Sequence, residues 1–206
     1  MASLGSKVPH PRCIQLGAKY GMPIVVRYSF KADESQRTKL MPFTEKQALE
    51  ALVVSGVTLD RDVAKITIRD LKAGTDVISK IFGEMARLHV NVDIIVHNLT
   101  EGADTMRVGF TVATGEAEKA ADGIRALAKS LDAPMQVEVE KGFCKVSAVG
   151  VGMRSHSGVA GRAFQALSDS QVPVHMISTS EIKISCVVAE GDGEKAVQAL
   201  HREFVG

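Results

Sequence analysis

The run KVSAVGVGMRSHSGVAGRAFQALSDSQVPVHMISTSEIKISCVV, residues 145–188, decides how the rest of the chain is read. Val146, Ala148 and Val149 stand among small residues as a strand does, and Gly150-Val151-Gly152-Met153-Arg154 breaks it. Ser155-His156-Ser157-Gly158 then opens a helix, in which Val159, Ala163, Phe164 and Leu167 recur at the three- and four-residue spacing of one buried face. Two short strands follow, 174–177 and 182–188, parted by a turn at 179–181. The order is strand, helix, strand, strand.

The same order occurs 82 residues earlier. Phe164 matches Phe82, Val174 matches Val92, Ile177 matches Ile95 and Val159 matches Val77, so the chain holds an internal repeat. The first copy reads as strand 65–68, helix 77–88, strands 92–97 and 105–114, helix 116–131 and strand 135–140. Glu116, Glu118 and Lys129 suit the dipole of its second helix and mark a solvated face. Each copy is thus a ferredoxin-like βαββαβ unit of the α+β class, its antiparallel sheet covered by two helices. The second copy ends in helix 194–204 and lacks a fourth strand. The β-rich stretch 52–59 lies outside the first copy and can supply it. The first unit, 63–141, is then an insertion in a second made of 51–60 plus 142–206.

Composition limits the function. A length of 206 residues, 45% of them hydrophobic, is enough for two small cores, and the scarcity of aromatics makes those cores aliphatic. A formal charge of +1 gives no electrostatic case for nucleic acid or an anionic membrane. Cys13, Cys144 and Cys186 have no metal-site spacing and cannot all pair, which fits a reduced, cytoplasmic compartment. No apolar run approaches the roughly 20 residues that a membrane-spanning helix needs, and the N-terminus has no signal-peptide core. Residues 31–46 are polar and read as a linker, or else an ordered surface loop, before a short helix at 45–52. Helix 11–20 and strand 24–27 are too short to form a domain alone.

With GVGMRSHSGVAGRAF and HMISTSEIKIS in the second copy, and TIRDLKAGTDVISKIF and VNVDIIVHN in the first, the chain resembles the tandem ACT regulatory region of aspartate kinases. SLGSKVPHPRCIQLGAKYGMPIVVRYSF, within residues 1–30, resembles the end of that family's catalytic domain, so the resemblance covers nearly the whole chain. It implies the same nesting of one unit in the other. The family's lysine-containing strand and glycine loops for phosphoryl transfer have no match here. The chain on its own is therefore expected not to be an enzyme and to hold no cofactor; ATP and magnesium belong to the catalytic domain. The Met1 start fits either a separately made regulatory subunit or a cut piece.

The candidate site is read from the helix starts. Gly150-Val151-Gly152 invites a dinucleotide motif, but Ser155 replaces its third glycine and the strands that follow are antiparallel in type. Exposed N–H groups at a helix N-terminus instead suit the α-carboxylate of an amino acid, at Ser155, His156, Ser157 and Gly158, with Met153 beside them. Ser178, Thr179, Ser180 and Glu181 offer hydroxyls and a carboxylate for the rest of such a ligand. Met85, Met153 and Met176 read as packing residues.

In the resemblance, a matching T-S-E stretch contributes to the lysine pocket. Asn91, Asp93, His97 and Asn98 fall on positions that hold threonine, His97 replacing the usual glutamine. Thr75 and Asp76 replace a Pro-Gly pair before Val77, and a carboxylate there opposes a carboxylate ligand. The implied role is allosteric control by threonine, lysine or both, in a homodimer that contacts an aspartate kinase catalytic subunit. The alternative is an effector-insensitive dimerisation module.

Overall fold

Two antiparallel strands of 17 and 14 residues, Gly56–Lys72 and Gln136–Val149, run through the middle of a six-stranded sheet. The computed structural model describes residues 10–27, 29–30, 37–40, 54–72, 74–99, 105–150 and 158–206. In chain order its helices are α1 (Pro11–Lys19), α2 (Thr75–Arg87), α3 (Ala117–Ser130), α4 (Val159–Asp169) and α5 (Gly193–Phe204). The strands are β1 (Ile24–Arg27), β2 (Arg37–Leu40), β3 (Gly56–Lys72), β4 (Ile95–Leu99), β5 (Thr105–Val112), β6 (Gln136–Val149), β7 (Met176–Thr179) and β8 (Lys183–Ala189). The large sheet has the order β4-β5-β3-β6-β8-β7, every neighbour antiparallel.

That order is two βαββαβ sheets joined. The far half of β3 with β4, β5 and the near half of β6 belongs to the first repeat. The near half of β3, Gly56 to Asp60 in register with Val149 to Lys145, completes the second. The fourth strand of each unit therefore shares one continuous strand with the other unit's first strand, and the first unit is inserted in the second.

The joint is a pair of irregularities. Between Asp60 and Lys65 the pairing advances by unequal steps, because each strand carries one extra residue. On β6 the extra residue falls beside Gly142, whose φ of +83° is open to glycine at little cost. Leu59 and Ala64 are five positions apart, and so are Val139 and Cys144. The bulges nevertheless keep all four on the helix-covered side.

There α4 and α5 cover one core, in which Val54, Cys144, Val146, Ala148, Leu167 and Leu200 are buried. Helices α2 and α3 cover the other, with Ile66, Ile68, Leu71, Ile81 and Phe110 at 0% exposure. Full burial of an aliphatic or Phe side chain contributes about 1.5–3 kcal/mol. Phe82 meets Phe110 edge-on at 5.6 Å, so the repeat's phenylalanine anchor does pack. Met85 and Met176 are buried, as packing residues should be.

The opposite face is concave. Val63, Ile94, Phe143, Met176 and Val187 form a third apolar cluster across it, and a Cβ at Gly109 on β5 would lie 3.8 Å from Met176 Cε on β7. The sheet therefore curls until its two ends approach.

Several local expectations change. Arg37–Leu40, inside the stretch read as linker, is a strand paired with Ile24–Arg27; its charged side chains gave no β pattern, and backbone pairing supplies the order. The strand expected at 92–97 begins only at Ile95. Ahead of it the backbone is irregular, Ile94 N donating to Thr111 Oγ1 at 3.0 Å and Asp93 N to Thr111 O at 3.1 Å. The short helix expected at 45–52 lies outside the described residues.

Candidate functional site

The two helix starts differ as their sequences do. Gly158 caps α4 in the left-handed conformation, φ +91°, and has no side chain with which to satisfy the first N–H groups of that helix. A Cβ at Gly158 would meet nothing within 4 Å among the described residues, so the glycine answers a backbone requirement. Met153, Ser155, His156 and Ser157 lie outside the described residues. At α2 the capping residue is Gly74, and Asp76 in the first turn is bound by Lys80, Nζ to Oδ2, at 2.7 Å. Asp76 thus serves the dipole of its own helix. Val77 is half buried against the first core.

The strand residues of the predicted site stand on the two edges of the sheet. Among the described residues β4 pairs only with β5 and β7 only with β8, which leaves a row of backbone groups on each without a strand partner there. His97 and Asn98 are exposed on β4. Thr179 at the end of β7, with Ser180 and Glu181 in the following turn, is exposed as well, and Ser178 is half buried. Ser180 N donates to Lys183 O at 2.8 Å, closing that turn.

Asn91 and Asp93 are drawn elsewhere, into a cavity of about 460 Å³ at the joint between the units, shared with Asp60, Thr111, Lys145 and Lys183. Lys145 is the centre of it. Its side chain, 7% exposed, reaches Asp93 Oδ2 at 2.5 Å and Asp60 Oδ2 at 3.4 Å, and Lys183 Nζ lies 3.9 Å from Asp93 Oδ1. A buried ammonium needs such partners, although Asp93 itself is 42% exposed and shares its charge with water. Asp93 lies in the first unit, Lys145 and Lys183 in the second, so the cluster ties them by charge. Sequence reasoning selected Asp93 but missed Lys145, Asp60 and Lys183. The available signal was a lone lysine between Cys144 and Val146, on the face turned from the helices.

Both thiols of the second core are shielded. Burial pushes Cys186 up to about 11 and raises Cys144, against which the nearby Arg61 guanidinium acts weakly. Among the described residues no group of His, Cys, Asp or Glu could hold a metal ion, and no helix is long and apolar enough to cross a membrane.

Two joined antiparallel βαββαβ units with an edge strand at either end of one sheet define a tandem ferredoxin-like module. Residues 146–204 match the ACT domain family. The chain is 42% identical to an aspartate kinase of Pseudomonas fluorescens, over 99% of its own length and 48% of that protein. It superposes on the crystal structure of aspartokinase alpha and beta subunits with a TM-score of 0.67 and 35% identity, over 73% of this chain and 97% of that one. E. coli aspartokinase III in complex with lysine and aspartate, in the T-state, gives a TM-score of 0.74 and 25% identity, over 100% of this chain and 44% of that one. The chain belongs to the aspartokinase family, as its ACT regulatory region. It spans about half the length of the curated relatives it matches.

Proposed function

We propose that this chain is the amino-acid-sensing part of an aspartate kinase, and that threonine, lysine or both hold its units in the arrangement that lowers catalysis. The observation that carries the reading is similarity to aspartate kinases along 99% of the chain, in a chain folded as two ACT-type units. The lysine complex of E. coli aspartokinase III supports lysine as an effector class.

The effector carboxylate docks on the N–H groups at the start of α4 or α2. The edge strands β7 and β4, through Ser178 to Glu181 and through His97 and Asn98, hold the remainder. A second copy of the chain closes the site along those edges, and the homodimer works in the cytoplasm on a catalytic subunit that uses ATP and magnesium to phosphorylate aspartate. Effector binding that favours one arrangement by about 1–3 kcal/mol is enough to change activity 5- to 150-fold.

The Asp76–Lys80 ion pair at the start of α2 favours a second reading for the first unit, in which it only dimerises. Isothermal titration of the chain with threonine and with lysine tests both. Saturable heat with either amino acid is expected; none with either, while the chain still dimerises, leaves the dimerisation module.

A further inference from the structure

The concave face holds a second cavity, set apart from the helix starts, which shares Asn98 of β4 with the proposed effector site. It measures about 430 Å³ and is walled on one side by Val96, Val174, Met176 and Ile177. On the other side Lys65, Thr67, Arg69 and Arg107 line it, with Asn98 and the carboxylate of Glu140. Alternation along β3 sends Ile66 and Ile68 to the helices, so Lys65, Thr67 and Arg69 point into this space.

Its polar groups are unevenly satisfied. Glu140 is taken by Lys65 at 2.7 Å, and one Arg69 Nη is taken by Glu138 at 2.8 Å. Thr67, 6% exposed, has its Oγ1 buried with no hydrogen-bond partner among the described residues, and Arg69 Nε is buried in the same condition. The Arg107 side chain forms no ion pair among the described residues. Buried polar atoms are almost always paired, so two orphans on one wall mark a place where something else supplies an acceptor. Glu140 and Glu138 balance Lys65 and Arg69, so Arg107 is the lining cation left without an ion pair among the described residues, and it sets the sign.

We propose that this cavity binds a small organic anion, a carboxylate or phosphate on a short apolar stem. Its oxygens accept from Thr67 Oγ1, Arg69 Nε and Arg107, and its stem lies on Val96, Val174 and Met176. A guanidinium meets such an oxyanion with charge-assisted hydrogen bonds, and the apolar wall excludes water from them. β3 and β5 supply the donors and β7 the wall, so occupancy bridges the two units.

Inorganic phosphate and succinate, titrated separately by calorimetry into the intact chain, are the probes. One saturable site for either is expected, and the probe that binds identifies the head group. Arg107→Gln, at an exposed position that folding does not need, should weaken it about tenfold. Thr67→Val, which keeps the shape and removes the orphan hydroxyl, should weaken it several-fold without lowering the melting temperature of the free chain. Absence of saturation at millimolar concentration with both probes overturns the proposal, as does binding that neither variant alters. Arg107→Gln changing only the monomer–dimer balance also overturns it, because a second copy would then cover the face. Threonine and lysine titrations on Arg107→Gln that match the unaltered chain separate this site from the effector loops.

Discussion

Cys186 shows how strongly one residue can carry a pH dependence. Its thiol is buried at 1% exposure and lifted from 9.0 to about 11 by desolvation, so the native state keeps a proton that the unfolded chain releases. The stabilisation is complete below about pH 9 and is lost as pH rises toward 11, up to roughly 3 kcal/mol in all. Urea unfolding at pH 8 and pH 10.5 should show that loss, and Cys186→Ala should flatten it; an equal slope in both proteins would mean that other groups carry it. Asp76 poses the complementary question. Replacing it with Gly removes a carboxylate and a Cβ from the α2 start and should tighten threonine binding. A like-charge contact at about 4 Å in water is worth about 1 kcal/mol, roughly fivefold in Kd. Lys80 already neutralises part of that charge at 2.7 Å, so the gain falls at the lower end. His97→Gln should add to it by restoring an amide that both donates and accepts. Tight binding by the unaltered chain that Asp76→Gly abolishes would reverse the ligand's orientation.

Among the elements, α5 and α4 make a matched pair of tests. Gly193 opens α5 where a Cβ would stand 2.7 Å from Cys144 Sγ and 3.2 Å from Leu59 Cδ1, both in the heart of the second core. Gly193→Ala should therefore destabilise by about 1–3 kcal/mol. Gly161 lies on the exposed side of α4 with nothing within 4 Å, and Gly161→Ala should stabilise by about 0.5–1 kcal/mol, since alanine only removes backbone entropy there. Thermal unfolding of the two variants should shift in opposite directions.

The helices were legible because their apolar positions recur at helical spacing over many residues; the boundaries of α1, α2, α3 and α5 lie within two residues of the reading. The continuity of β3 and β6 was not. The reading ended one strand at 59 and began the next at 65, and ended another at 140 before the strand that opens the second copy, whereas the structure runs the backbone straight through both gaps as bulges. The candidate site divides in the same way. The helix starts and edge strands could be located from local sequence. The partners of Arg69 and Lys145 lie across the sheet, and no local pattern announces such a neighbour.

For the whole molecule the decisive fact is that neither half owns its own sheet. Deleting residues 1–60 removes the strand paired with Lys145 to Val149, and it also removes Asp60 from the buried Lys145. Amide exchange across 146–188 should accelerate, although that region lies far along the chain. Exchange that stayed unchanged would show the second unit closing without its fourth strand. The shared strands also impose a timetable on synthesis. The segment 56–60 leaves the ribosome well before 145–149 is made, while the complete first unit lies between them. It must wait, its N–H and C=O groups unclaimed, until the last third of the chain arrives. Long-range strand pairing of this kind is slow and leaves adhesive edges open. The half-made protein is thus most vulnerable to pairing with a neighbouring nascent chain, and holding that one short segment apart is what a chaperone would need to do for it.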